Sequence, residues 1–456
     1  MSKKVKKDKK AAKGAKARSV ITTVPGLTEP RAAAALRVKQ ATLESGLSVV
    51  AVRKPGVPLV EMRLRIPFLS AKPGHPAQGM VLSETMLTGA RDLDRAELAG
   101  AIQGLGADLT VSVDADRLVL GGSVLSGGLP RLLDLVAGVL TEPAYAADEV
   151  ATERGRAVET LNIARARAAV IASEALERRM WGDHPYALDL PTPAEVAAVT
   201  APQLKAMHRS LVRPGTATLV LVGDLTPDRM INLASTSLTG WTGTGTKPRV
   251  RKLPTPPAGP LLVVDRPGSV QSSLKMGRPG LTRKDPDYPA LQLANLIFGG
   301  YFSSRWTLNI REDKGYTYGP HSRVNHHVLG STVNLDVEAA TEVTAPTVLE
   351  TTYELGRLAS LGVTDAEVEA ARQYAIGTLS LSVATQAGLA STLSALAAFD
   401  LGLGWIAEHP GRLLAATTDD VSAAAARFFS PTGFTGVVVG EAATVTEPLA
   451  ALVEVE

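Results

Sequence analysis

Leu219-Val220-Leu221-Val222-Gly223-Asp224, shortly after Pro214, returns as Val437-Val438-Val439-Gly440-Glu441 after Pro431, with the prolines and the glycines each 217 residues apart. A short apolar run closed by glycine and an acid reads as a buried strand and its turn. Three further pairs keep the same order at nearly the same offset. Ser48-Val49-Val50-Ala51-Val52-Arg53-Lys54-Pro55-Gly56 matches Leu261-Leu262-Val263-Val264-Asp265-Arg266-Pro267-Gly268, with the Pro-Gly pairs 212 apart. Glu149-Val150 followed by Arg154 matches Glu367-Val368 followed by Arg372, 218 apart, and Thr200 to Leu204 matches Thr417 to Val421 at 217. Any one match is weak, but four in order indicate two homologous halves.

The elements follow from periodicity. Leu59 to Ile66 alternates at period two, Gly79 to Thr88 and Arg95 to Leu105 read as helices, and Leu109 to Leu125 reads as a hairpin around a Gly-Gly turn. Helices are expected over Leu129 to Leu140, Asp148 to Ala175 and Pro202 to Leu211, with a break at Thr141 to Ala147. Strands interleaved with paired helices predict an α+β fold: two homologous domains, each a mostly antiparallel sheet with helices packed on one face. The expected division is a disordered basic tail at 1–30, a first domain at 31–240, a linker at 241–260 and a second domain at 261–456. The linker is rich in proline and glycine and carries a basic cluster at Lys247, Arg249, Arg251 and Lys252.

Composition narrows the chemistry. The chain has 456 residues, no cysteine and seven histidines, which excludes disulfides, thiolate metal sites and cysteine nucleophiles, and leaves few ways to assemble a zinc site. Met1 to Arg18 holds nine Lys/Arg against one acid, so the formal charge of +3 conceals a mildly acidic body behind a basic tail. The tail cannot bury a core and reads as a solvated segment, with contact to nucleic acid or an anionic surface as the alternative. It continues into Val24-Pro25-Gly26 rather than into the apolar stretch of a secretory leader, so a cytoplasmic protein is expected. Gln373 to Phe399 is uncharged but contains nine Ser, Thr or Gln residues, which fits a buried helical hairpin better than a membrane span.

One segment of the second half is rich in reactive residue types: Phe298-Gly299-Gly300-Tyr301-Phe302-Ser303-Ser304, then Arg305-Trp306-Thr307-Leu308-Asn309-Ile310-Arg311-Glu312-Asp313-Lys314-Gly315-Tyr316-Thr317-Tyr318-Gly319. Trp306 to Lys314 is expected to be a helix ended by Gly315, with Tyr316 and Tyr318 on one side of a following strand. Read by residue type alone, Arg311 is a helix ion pair with Glu312 or Asp313, and Tyr318 a sheet-packing aromatic. His75 falls in a proline-rich loop, and His321, His326 and His327 read as surface or packing residues, since adjacent strand residues face opposite ways.

With Arg-x6-Tyr at Arg311 and Tyr318, the segment resembles the C-terminal domain of the pitrilysin/insulinase family of metallopeptidases. The resemblance runs from about Lys39 to the C-terminus and includes His184-Pro185-Tyr186 and the run from Pro214 to Asp224. The family's peptidases hold zinc with H-x-x-E-H and a glutamate about 75 residues further on, the motif's glutamate acting as general base. The matching segment here is Val81-Leu82-Ser83-Glu84-Thr85, with Val81 and Thr85 at the histidine positions, Glu84 retained, and the third ligand position near Thr160 beside Glu159. One carboxylate without imidazole falls short of the three protein ligands of catalytic zinc. The resemblance therefore implies no metal cofactor in this chain, with zinc expected in a partner.

The same resemblance implies that Arg311 donates to a substrate carbonyl and Tyr318 to the oxyanion of a tetrahedral intermediate. It also implies that Phe298-Gly299-Gly300-Tyr301 is a glycine-containing segment lining substrate entry, a helix-to-helix turn being the alternative. A lost zinc motif beside a retained Arg/Tyr pair is similar to the non-zinc subunit of the family's heterodimeric metalloendopeptidases. The chain is then expected to be inactive alone and to bind a homologous subunit carrying H-x-x-E-H, together with a peptide substrate. Neither a membrane span nor nucleic acid is expected among its partners, and self-association in isolation stays open. The alternative is a non-catalytic structural or peptide-binding protein of the same fold.

Overall fold

The computed structural model describes residues 36–188, 190–245 and 250–456. The basic tail, Lys247 and Arg249 lie outside these, and all that follows concerns the described residues. The first sheet contains β1 (Arg37–Thr42), β2 (Ser48–Arg53), β3 (Leu59–Pro67), β4 (Asp108–Val113), β5 (Arg117–Leu125) and β6 (Thr218–Gly223), in the order β1-β2-β6-β3-β5-β4. The second contains β7 (Leu262–Asp265), β8 (Gln271–Gly280), β9 (His321–His327), β10 (Gly330–Ala340) and β11 (Thr435–Gly440), in the order β7-β11-β8-β10-β9. With β1 set aside the two orders are the same, strand for strand. All neighbours are antiparallel except β2 with β6 and β7 with β11.

The helices of the first half are α1 (His75–Thr85), α2 (Arg95–Gly104), α3 (Leu129–Thr141), α4 (Ala147–Arg165), α5 (Ala168–Trp181), α6 (Pro193–Ala197), α7 (Ala201–Leu211) and α8 (Pro227–Ser237). Those of the second are α9 (Tyr288–Asn295), α10 (Arg305–Thr307), α11 (Thr344–Leu361), α12 (Asp365–Ser382), α13 (Gln386–Ala397), α14 (Leu403–Ala415), α15 (Thr418–Phe428) and α16 (Ala442–Ala450). The α+β class and the two homologous domains are as the sequence predicts.

The packing differs from expectation in one respect. Each sheet has its own helices on one face, but the other face is covered by a helix from the opposite half. Leu389, Ala390 and Leu393 of α13 pack on Val52, Val220 and Val222 of the first sheet. Reciprocally, Ala172, Leu176 and Met180 of α5 pack on Val437 and Val439 of the second. This explains why β6 and β11 are apolar at consecutive positions: Leu219 and Leu221 face the first core while Val220 and Val222 meet α13, and Val438 faces the second core between Val437 and Val439. Gly277 makes room for the exchange, since a Cβ there would overlap Met180 Sδ. Burying a valine or leucine contributes about 1.5–3 kcal/mol, so each half leaves a substantial apolar face open until the other supplies its helix.

The exchange also corrects two helix boundaries. The helix expected over Asp148 to Ala175 breaks after Arg165, because α4 stays on the first core through Val150, Ala157 and Leu161 while α5 leaves it to reach the second sheet. The uncharged run Gln373 to Phe399 is divided between α12 and α13, bent by 107° so that α13 lies on the first sheet. No single described helix is long and apolar enough to cross a membrane. The hairpin of β4 and β5 turns at Asp114 to Asp116 rather than at Gly121-Gly122. Asp114 Oδ1 accepts from the N–H groups of Asp116 and Arg117, both at 3.0 Å, which builds the turn. The two glycines lie inside β5, and Gly122 is needed there because a Cβ would meet the Asp108 carbonyl oxygen of β4.

The repeated Glu-Val and Arg have a structural cause. Arg154 donates to the Val199 carbonyl at 2.8 Å, and Arg372 donates to the Ala416 carbonyl at 3.0 Å. Each accepting residue precedes a threonine, Thr200 or Thr417, that opens the next helix with a capping box.

The tips of two topologically matching hairpins meet at Asp116. Its Oδ1 accepts from the Tyr186 hydroxyl at 2.6 Å, its Oδ2 accepts from the Val328 N–H at 2.9 Å, and the Leu329 N–H donates to the Tyr186 oxygen at 3.2 Å. His327 lies tilted against Tyr186 with ring centroids 4.6 Å apart. Burial, then the Asp116 charge, push the Tyr186 phenol pKa up. Asp116→Ala is expected to lower the unfolding free energy by about 3 kcal/mol, because two donors lose their acceptor in a largely buried contact. Urea unfolding reads this as a lower midpoint at unchanged slope, and a midpoint within error of wild type would show that the contact does not join the halves.

Candidate functional site

The degenerate metal motif lies on α1. Val81 is fully buried in the first core, and Thr85 is buried with its hydroxyl donating back to the Val81 carbonyl at 2.6 Å. Glu84 is exposed and makes no hydrogen bond or ion pair among the described residues. Thr160 and Glu159 are exposed on α4, and on the same turn Leu161 faces the core. Zinc, which the resemblance associates with this helix, does not fit: its two imidazole positions are packing positions, and no three His, Asp or Glu side chains among the described residues are grouped to hold a metal. His75 is not in a loop but opens α1, buried, with Nε2 2.6 Å from the Phe68 carbonyl oxygen. Beside α1 lies a groove of about 380 Å³, bordered by Phe68, Met80, Glu84, Pro185, Leu190 and the edge strand β4.

The second half builds a different cluster. Arg305 opens α10 and forms a two-pronged ion pair with Glu367, Nε to Oε1 at 2.6 Å and Nη2 to Oε2 at 2.8 Å. Burial would raise the Glu367 pKa, but Arg305 and the Thr364 N–H outweigh it and hold the carboxyl at about 2. Trp306 is fully buried, stacked on Phe298 at 5.3 Å, and its Nε1–H donates to Thr351 Oγ1 at 3.0 Å. These contacts fix the start of the segment. The expected helix over Trp306 to Lys314 is α-helical only through Thr307 and continues as a π-helical turn over Leu308–Asp313. A second π-helical turn spans Leu296–Gly300. Such turns occur often at functional sites.

Arg311 and Tyr318 are brought together. The Arg311 guanidinium carbon lies 4.9 Å from the Tyr318 ring centroid and 4.4 Å from that of Phe302, within cation–π range of both. Its Nε is 3.1 Å from Glu312 Oε1, the ion pair that residue type suggested. Tyr318 is 87% exposed. It precedes β9 in an irregular segment rather than lying in a strand, and does not pack on a sheet. Gly315, at φ +66°, ends the π-helical turn as expected. No hydrogen bond, ion pair or ring contact links Arg311 or Tyr318 to α1 among the described residues.

The glycine segment is placed by packing. Phe298 is fully buried between Trp306 and Phe429, with centroids 5.3 Å away in both cases. Gly299 is buried where a Cβ would overlap the Trp306 ring, and a Cβ at Gly300 would meet Asn295. Tyr301 is half-buried and stacked on Tyr374 at 5.1 Å. Phe298 and Gly299 are therefore packed into the core, while Gly300 and Tyr301 remain partly exposed on the way from the π-helical turn to α10. His326 and His327 do face opposite ways, toward Tyr288 and Tyr186 respectively. Phe302, the Arg305–Glu367 pair and the Asp116 contact were not among the candidate residues. Phe302 stood inside the quoted segment, but only the fold reveals its ring against a guanidinium nine positions on.

Two homologous α+β domains, with residues of the metal motif packed into the core in one and an Arg/Tyr cluster in the other, define a metallopeptidase-like fold with no metal-binding group among its described residues. Residues 198–374 match the sequence profile of the peptidase M16 inactive domain. Over 356 residues, 77% of this chain and 81% of the relative, it is 23% identical to an uncharacterized zinc protease of Mycobacterium tuberculosis. An uncharacterized zinc protease of Streptomyces coelicolor is 23% identical over 296 residues, 62% of this chain and 64% of that relative's length. A probable inactive metalloprotease of Bacillus subtilis is 26% identical over 211 residues, 44% of this chain and 48% of its own. The crystal structure of a peptidase M16 inactive domain from Pseudomonas fluorescens shares the fold with a TM-score of 0.82 at 24% identity, covering 88% of this chain and 97% of that one. The chain thus shares its fold with M16, or pitrilysin/insulinase, peptidases and is similar in sequence to their inactive domain over residues 198–374.

Proposed function

We propose that this chain is the zinc-free subunit of a two-chain M16 metalloendopeptidase and lends Arg311 and Tyr318 to a homologous partner that carries H-x-x-E-H. The observation that carries this reading is the asymmetry of the two sites: Val81 and Thr85 are packed into the core, whereas the exposed Tyr318 lies against a partly exposed Arg311 with no hydrogen bond, ion pair or ring contact to the first half among the described residues. A scaffold has no need of an 87% exposed tyrosine beside an arginine. In the assembled site Arg311 donates to a peptide carbonyl and Tyr318 donates to the developing oxyanion, two donors that act on the transition state without any metal in this chain. Metal chemistry belongs to the partner.

The test is cleavage of a fluorogenic peptide by this chain, by a candidate H-x-x-E-H chain, and by the two together. Activity is expected from the mixture alone or far above the partner's own. Arg311→Ala or Tyr318→Phe in this chain should each lower kcat of the mixture by about 10²–10³, the usual effect of deleting one oxyanion donor. A mixture no more active than the partner, or variants without effect, would favour the alternative of a structural or peptide-binding protein. Stoichiometric zinc in this chain purified alone would overturn the reading outright.

A further inference from the structure

Phe302 is an exposed aromatic with no place in the core: 57% of its surface is open, while its neighbours Tyr301 and Ser304 are tied down. Tyr301 stacks on Tyr374, the Ser304 N–H donates to the Tyr301 carbonyl at 3.1 Å, and the Ser304 hydroxyl donates to Thr307 Oγ1 at 2.9 Å. The backbone on both sides is therefore fixed, and the Phe302 ring is held 4.4 Å from the guanidinium carbon of Arg311, closer than the Tyr318 ring at 4.9 Å. Glu312 occupies Nε of Arg311, and neither Nη has a hydrogen-bond partner among the described residues.

We infer that Phe302 is the positioning residue for Arg311: its ring fixes the guanidinium plane, with Tyr318 against the same group, so that the two free Nη donors point outward as a pre-oriented unit. An arginine has several rotatable bonds and a large rotamer entropy, and a half-exposed one samples many orientations unless something flat confines it. Glu312 alone fixes one nitrogen and leaves the fork free to swing. A ring against the guanidinium face removes that freedom before a ligand arrives and leaves the edge donors open, since stacking uses the face and hydrogen bonding uses the edge. Phe302 itself touches no substrate in this scheme. Its consequence for catalysis rests on the proposed pairing with a zinc-bearing chain, but the orientation of Arg311 is a property of this chain alone.

The two are tested separately. In the isolated, nitrogen-15-labelled chain, the Arg311 Nε–Hε cross-peak, assigned by its loss in Arg311→Lys, is expected to be displaced by the aromatic ring current. Phe302→Leu should return it most of the way to the position of a free arginine, while Phe302→Tyr should leave it displaced. Because Phe302 is exposed, the urea midpoint should not move in either variant, which separates orientation from folding. A cross-peak indifferent to Phe302→Leu would overturn the inference. In the mixture with an H-x-x-E-H chain, Phe302→Leu should lower kcat/KM by about tenfold, less than the roughly hundredfold that a full ångström of misplacement can cost. Phe302→Tyr should restore it, and Phe302→Leu should cost nothing further in an Arg311→Ala background. An equal loss in that background would show that Phe302 acts without Arg311 and would sink the positioning role. If Arg311→Ala itself leaves the mixture unchanged, the pairing fails instead, and the cross-peak decides the orientation of Arg311.

Discussion

Replacing Trp306 by alanine is expected to lower the unfolding free energy by about 3–5 kcal/mol, the range for removing a fully buried indole. Three features place it at the upper end. The ring is fully buried and stacks on Phe298, and its Nε1–H donates to Thr351 Oγ1. The wall next to it is Gly299, which has no side chain to collapse into the space. Thr351 is itself buried and loses a donor, although its hydroxyl still donates to the Thr347 carbonyl at 2.7 Å. The effect should reach the site, since Arg305–Thr307 is the short α-helical anchor from which the π-helical turn bearing Arg311 extends. Urea unfolding measures the loss, and the Arg311 cross-peak should collapse in the same variant. Trp306→Phe, which keeps a ring against Phe298, should cost clearly less. A loss under about 1 kcal/mol, the level of a surface change, would mean that the segment is anchored elsewhere.

Acid should destabilise this protein well above the pH at which carboxylates protonate. All seven histidines of the chain have pKa values below the ordinary one, and burial is the main cause at each of them. Burial, with Arg283 nearby, takes His326 down to about 3, and burial with Arg412 and Arg283 takes His409 to about 4. The sign follows from proton counting. Below about 6.5 the unfolded chain binds protons that the folded chain refuses, so stability falls as pH drops, and the fall continues until the folded histidines also titrate. Each histidine that stays neutral in the fold contributes a slope on the order of 1.4 kcal/mol per pH unit below that point. His326 and His409 carry this furthest, to about pH 3 and 4. The expected result is a urea midpoint that drops steadily from pH 7 to pH 5, where ordinary carboxylates remain ionised. His409→Asn, which removes one of these protons, should flatten the profile. A midpoint unchanged across that interval would show that the buried histidines accept protons in place.

Much of the architecture was legible because burial leaves local marks. Leu59 to Ile66 alternates since one face of β3 meets the first core, and the repeated Glu-Val and Arg recur because each arginine closes the same bond to the carbonyl before a helix cap. Val81 and Thr85 announced the loss of the metal motif directly, since residue type at a helix position is enough to exclude imidazole ligands. The hairpin turn was misplaced at Gly121-Gly122 because glycine pairs usually mark turns, whereas here they relieve a close strand contact and Asp114 makes the turn. The resemblance placed Phe298 and Gly299 at substrate entry, but glycine accompanies either freedom or crowding, and the neighbour that decides between them, the Trp306 ring, is known only in three dimensions.

The repetition of the elements in two matched halves and the absence of histidine at positions 81 and 85 were already present in the linear chain, because periodicity and residue identity are local quantities. Which helix covers which sheet was not. The uninterrupted apolar runs of β6 and β11 demanded a second cover, but α13 and α5 reach them from the opposite half across long sequence separations. The same holds for Asp116 bound to Val328, and for Phe302 against Arg311, where the chain must turn back before the two rings and the guanidinium can meet. Contacts of that kind arise from chain crossings that no window of sequence records, and here they join the halves and confine the arginine.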